Sequence, residues 1–309
     1  GGNAPTVSNS SGTDIAFGSA TALTFSAGVA ASKNGAMKLY GSGAASILAS
    51  EGAITTPTVL AVTVAAAPAS KLVLGAATTT PVAAAADNLT ITAQDAYGNT
   101  ATSYTGSKNL TFSGASASPS GAGPTVANGA GTAINFGSPT ALTFTAGVAA
   151  VAASKNGVMK LSNAGATSVS ATDGTLSTAT PLALTVSVGS ASNLALTSVV
   201  ASAGSIGSPC LFTCAVTKLG NGGTVSANVS VTDSVGNVVS GLGSGHTVKI
   251  TSTGGALAET ALTIAATGPA VSSTRFTYTS QEKSNFNDTI AAATNAGTVY
   301  TGATATAGK

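Results

Sequence analysis

The stretch NLTITAQDAYGNTATSYTGSKNLTFSG, residues 88–114, decides how this chain folds. Leu89, Ile91 and Ala93 alternate with Thr90 and Thr92, and Leu110 and Phe112 alternate in the same way. A period of two puts the apolar residues on one face of a β-strand and the hydroxyls on the other. Between the two runs, Asp95 can accept backbone hydrogen bonds across a tight turn. Gly98 can supply a positive φ, and Asn99 tolerates the left-handed region.

The same alternation continues outward. ALTFTAG places Leu142 and Phe144 on one face, and VMKLS places Met159 and Leu161 inward with Lys160 outward. ATSVSAT and LALTVSV close the run, and Gly, Asn, Ser and Pro clusters punctuate every segment. No window sustains a helical period.

Much of this material occurs more than once. Pro5–Ala31 and Pro124–Ala150 align without a gap and agree at 20 of 27 positions. SKNGAMKL (32–39) returns as SKNGVMKL (154–161), and VLAVTVAAAPASKLVL (59–74) returns more loosely as PLALTVSVGSASNLAL (181–196). These offsets define a unit of about 120 residues, a large immunoglobulin-like size. Three segments follow: a partial repeat at 1–68, a complete repeat at 69–190 and a diverged repeat at 191–309. In the last, Val229, Val231, Val248, Ile250, Phe276 and Tyr278 take the inward positions, and about 16 extra residues near 203–222 separate its first two strands. One-sided strands need a facing sheet, so the fold class is all-β, a tandem of immunoglobulin-like antiparallel β-sandwiches.

ITAQDAYGNTATSYTG (91–106) and VSVTDSVGNVVSGLGSG (229–245) both resemble the strand, Asp-x-x-Gly-Asn, strand element of bacterial immunoglobulin-like domains of the invasin and intimin type. The motif residues are Asp95, Gly98 and Asn99, then Asp233, Gly236 and Asn237. The resemblance implies beads of large surface proteins, such as adhesin stalks, surface layers and extracellular fibres, and it brings no catalytic residues. A second reading makes each Asp and Asn a Ca²⁺ ligand between domains. Calcium takes six to eight oxygens, usually with several carboxylates, and here a single carboxylate stands alone. Turn chemistry is the better account, with no metal and no cofactor expected.

Composition narrows the function. Charged residues are 6% of the chain, there is no Trp, and Arg275 and His246 are single occurrences. Ser, Thr, Gly and Asn must solvate the surface, which suits an extracellular protein with few trypsin-like cleavage points. A net charge of +2 without any basic cluster argues against nucleic acid. VLAVTVAAA at 59–67 is half of a spanning helix, and 4% aromatics with no girdle pattern argue against an outer-membrane barrel. Residue 1 is Gly and no signal peptide precedes it, so a processed or excised piece is expected.

Cys210 and Cys214 are the only cysteines. In a continuous strand they would lie about 13 Å apart, beyond the reach of a disulfide. A disulfide therefore requires a turn, and a small closed loop in an oxidising compartment is expected; two buried thiols are the alternative. Catalysis needs a nucleophile, a base and an orienting group. His246 reads as a rim residue, while Asp14, Glu51 and Asp173 fall in loops, Glu51 and Asp173 at equivalent turns. No enzyme is expected. An isopeptide crosslink needs a buried Lys beside an acid, whereas Lys38 and Lys160 both alternate outward. Glycosylation sequons stand at Asn9, Asn88, Asn109, Asn228 and Asn287.

The partial repeat lacks counterparts of residues 70–113, so half a sandwich is left with an uncovered apolar face. Either the missing strands lie upstream, or a neighbouring subunit supplies them by strand addition. The expected partners are thus copies of this chain or upstream repeats. The expected function is a structural segment of a bacterial or archaeal surface filament, layer or adhesin stalk. The alternative is an adhesive module binding glycan or protein through the third repeat; its insertion offers one aromatic, Phe212.

Overall fold

A computed structural model describes residues 3–30 and 34–201, then 205–206, 213–217, 224–240, 247–252, 260–263, 276–279, 287–294 and 304–308; side chains are described for 3–30, 34–194 and 230–240. Every regular element among the described residues is a β-strand. No helix among them is long and apolar enough to cross a membrane.

The middle repeat is a two-sheet sandwich. One sheet runs in the order Lys71–Ala76, Ala86–Gln94, Val158–Lys160, Thr125–Ala127, Ala133–Asn135, with Val148–Ala150 also paired to Ala86–Gln94. The facing sheet runs Pro139–Phe144, Gly106–Ser113, Gly165–Thr172, Leu182–Val186. Pairing between these strands is antiparallel, with Leu74 opposite Ile91 and Phe112 opposite Ala171.

The alternation in the sequence becomes the core. Leu72, Leu89, Ile91 and Met159 from the first sheet meet Leu110, Phe112, Leu142, Phe144 and Val169 from the second, all at most 2% exposed. Each such side chain contributes about 1.5–3 kcal/mol through burial. The Tyr104 ring stands edge-on to Phe144, with centroids 4.8 Å apart.

Residues 3–68 repeat half of this arrangement. Thr6–Ser8 pairs with Asp14–Ala16 and Met37–Lys38, and Gly43–Ile47 pairs with Leu60–Val64. The ALTF strand shows what a missing partner does. In the middle repeat, Pro139–Phe144 is six residues long and pairs with Gly106–Ser113. Its counterpart shrinks to Phe25–Ser26, paired only with Val29–Ala30. A strand persists where a neighbour takes its backbone hydrogen bonds, and residues 3–68 contain no counterpart of Gly106–Ser113. Burial follows the same logic. Phe25 is 60% exposed where Phe144 is 2%, and Met37 is 40% exposed where Met159 is 0%.

In the third repeat, Asn193–Ala201 pairs with Thr224–Thr232 through an irregularity between Thr197 and Val200, and Phe276–Thr279 pairs with Thr224–Thr232. A second sheet runs Ser205–Ile206, Thr213–Thr217, Thr304–Gly308, Asn287–Thr294, Thr247–Ser252, Thr260–Thr263. Here Thr213–Thr217 and Thr304–Gly308 are parallel, a departure from purely antiparallel pairing. In the middle repeat, parallel pairing is limited to two isolated bridges, Leu72 with Thr178 and Val82 with Ser187. The strand Thr213–Thr217 lies inside the insertion and carries parallel pairing through a whole strand. Of the inward positions expected in this repeat, Val231 is described and fully buried; the side chains of Val229, Val248, Ile250, Phe276 and Tyr278 lie outside the described residues.

Candidate functional site at the joints between repeats

The two Asp-x-x-Gly-Asn loops lie where one repeat meets the next. Each loop first builds itself. Asp95 Oδ1 accepts the amides of Tyr97 and Asn99, both at 2.9 Å, and the Asp95 amide donates to the Asn99 carbonyl at 2.9 Å. Asp233 repeats the pattern with the amides of Val235 and Asn237 at 3.0 and 2.9 Å. Gly98 and Gly236 both take φ of 90°, which any Cβ would strain. Asn99 and Asn237 do not enter the left-handed region. Their amide groups have other work.

Asn99 Nδ2 donates to Asp95 Oδ2 at 2.8 Å and to the Tyr40 carbonyl of the preceding repeat at 2.7 Å. Its Oδ1 accepts the Ser42 amide at 2.9 Å. Asp95 Oδ2 accepts the Ala67 amide, in the segment that leads from one repeat to the next, at 3.0 Å. The second joint has the same plan. Asn237 Nδ2 donates to Asp233 Oδ2 and to the Ser162 carbonyl, both at 2.8 Å, and its Oδ1 accepts the Ala164 amide at 2.9 Å. Asp233 Oδ2 accepts the Gly189 amide at 3.0 Å. In the unit defined by the repeats, Tyr40, Ser42 and Ala67 are the counterparts of Ser162, Ala164 and Gly189.

An apolar contact accompanies each clamp. Tyr97 lies against Tyr40, with ring centroids 4.9 Å apart. Val235, at the equivalent loop position, packs on the edge of the middle repeat's core, and its carbonyl accepts the Ser120 amide at 3.2 Å.

Asp95 and Asp233 are 0% and 1% exposed. Burial works against the Asp95 charge, but the Asn99 side chain and the amides of Asn99, Ala67 and Tyr97 outweigh it and hold the carboxyl below its ordinary value. Four donors use the acceptor capacity of each carboxylate, which leaves it no free lone pair for a cation. Among the described residues no three His, Cys, Asp or Glu side chains group together. The chemistry of the site is that of a clamp on main chain.

The turn role expected for the Asp residues describes half of what they do; the grip on the preceding repeat was not legible in advance. Its partners are backbone groups, which have no side-chain signature. Two signals bear on it. The loops keep Asp, Gly and Asn while repeat three diverges around them, and six residues separate Leu60–Val64 from Lys71–Ala76, as they separate Leu182–Val186 from Asn193–Ala201.

The other candidates do not converge. Lys38 pairs on the surface with Asp14 at 2.5 Å, whereas Lys160, also exposed, has Ala133 in the place of that acid. The Lys38 hydrogen bond holds the Asp14 carboxyl below its ordinary value. Asp173 caps its own turn by accepting the amides of Thr175 and Leu176, and it receives the Tyr104 hydroxyl at 2.5 Å. Burial, then that bond, raises the Tyr104 phenol above its usual value. Glu51 sits exposed in a hairpin, Ser50–Glu51 with Ile54–Thr55. Cys210, Phe212 and His246 lie outside the described residues, as does the side chain of Cys214, so the disulfide expectation does too.

No protein-family model matches the chain, and no curated protein matches its sequence. Solved structures resemble it in fold. The Escherichia coli adhesin FdeC is 17% identical at a TM-score of 0.33, over 81% of this chain and 68% of FdeC. The D0-D1 domain of intimin is 17% identical at 0.24, over 76% and 96%. Domains 4 and 5 of the S-layer protein SbsC are 15% identical at 0.22, over 78% and 98%.

Proposed function

We propose that this chain is a structural segment of an extracellular, cell-surface protein, in which consecutive β-sandwiches are held in fixed relation to form a stiff array. The observation that carries this reading is the joint made twice with the same bonds, each time closing on the main chain of the preceding repeat. A flexible tether would leave those amides and carbonyls to water. Here a buried carboxylate and a carboxamide take them, and hydrogen bonds to a charged group are the stronger kind. A sequence with 6% charged residues and abundant Ser and Thr supports the extracellular setting.

The open apolar face of residues 3–68 fits closure by strands of the kind Lys71–Ala76, Ala86–Gln94 and Gly106–Ser113. Such closure, by repeats of the same kind, belongs to the proposal. NMR relaxation of the full chain tests the stiffness. The middle and third repeats should tumble as one body, and separate correlation times for the two would refute the reading. Electron microscopy of native material should show ordered filaments or sheets; monodisperse particles that bind a glycan array would favour the adhesive alternative instead.

A further inference from the structure

The Asp and Asn side chains of both joints bond only main-chain groups of the repeat before them, one carbonyl and two amides. The side chains attached to those groups change from Tyr40, Ser42 and Ala67 to Ser162, Ala164 and Gly189, yet the bond lengths stay at 2.7, 2.9 and 3.0 Å against 2.8, 2.9 and 3.0 Å. The clamping loops differ as well, Ala96 and Tyr97 against Ser234 and Val235. Hydrogen bonds that read only backbone do not discriminate sequence. Their specificity lies in the spacing of the three groups, which the fold supplies.

We infer that the Asp-x-x-Gly-Asn loop is a transferable socket, which seats the far end of any repeat presenting these three main-chain groups, whichever repeat stands before it. The inference rests on the reading of the joints as fixed. It makes the partner of the socket a class, the end face of this sandwich type, and leaves the order and number of repeats unrestricted by the joints. The middle of the loop only trims the fit, Tyr97 against Tyr40 and Val235 against the core edge.

The test is the full chain with a second copy of residues 69–190 inserted after Ser190. At the new junction, Ser162, Ala164 and Gly189 of the first copy meet Asp95 and Asn99 of the second, a pairing absent from the natural order. Because the copies are identical, hydrogen exchange reads both junctions in one peptide. A transferable socket protects all Ala164 and Gly189 amides as in the wild type. If the new junction fails, half of that population exchanges at least about tenfold faster, as loss of a hydrogen bond to a charged or well-ordered partner implies. Asn99→Ala in the inserted copy should produce that half-fast pattern at Ala164. Half-fast exchange without the substitution, beside a protected wild type, overturns transferability alone. Unprotected Ala164 and Gly189 amides in the wild type overturn the fixed joint itself.

Discussion

Asn237→Ala separates the joint from the turn. Asn237 is 4% exposed, and its side chain makes three bonds: to the Ser162 carbonyl, from the Ala164 amide and to the Asp233 carboxylate. The first two link neutral partners and are worth about 0.5–1.5 kcal/mol each; the third, to a charged group, is worth about 1.5–3 kcal/mol. Their sum, roughly 2.5–6 kcal/mol, is a ceiling, because the three share one network and water enters the opened space. A loss of about 3 kcal/mol at the second joint is expected. The turn survives, since Asp233 Oδ1 keeps the amides of Val235 and Asn237, and Asp233 Oδ2 keeps the Gly189 amide. Hydrogen exchange measures the split. Ala164 should exchange at least about tenfold faster, which corresponds to 1.4 kcal/mol, while Gly189 stays slow. Unchanged exchange at Ala164 would refute the clamp. Equal acceleration at both amides would show that Asn237 only holds the loop together.

The carboxyl of Asp95, held below the ordinary 3.8 by its donors, contributes stability that is complete above the unfolded value and lost as pH falls through the lower folded one. A carbon-detected NMR titration should therefore place its midpoint below that of exposed aspartates, and a midpoint at or above 3.8 would refute the assignment. Phe144→Ala should destabilise the middle repeat by about 3–5 kcal/mol in urea unfolding. Phe25→Ala, at the equivalent exposed position, should cost within about 0.5 kcal/mol; a cost equal to that of Phe144→Ala would refute the exposure of Phe25. Gly98→Ala meets no steric neighbour but must adopt φ of 90°. It should weaken the first joint by about 1–2 kcal/mol, read as faster exchange at Ser42 and Ala67 with Ala164 unaffected.

The strand faces of the middle repeat were legible because alternation is a local property. Leu89 and Ile91, or Leu110 and Phe112, announce a buried face within a few residues, and the structure buries all four. The parallel pairing of Thr213–Thr217 with Thr304–Gly308 was not legible. It joins segments nearly ninety residues apart, and no local pattern distinguishes a parallel neighbour from an antiparallel one.

The amino-acid order alone determined that this chain is built of strands, that its unit recurs, and that Asp95 and Asp233 belong to tight loops, since period, repetition and turn chemistry are all written in side chains. Only the tertiary structure decided that those loops grip the preceding repeat. Their partners are the carbonyls of Tyr40 and Ser162 and the amides of Ser42, Ala67, Ala164 and Gly189. Every residue other than proline carries both groups, so their role appears only when folding brings them within reach of a carboxylate and a carboxamide.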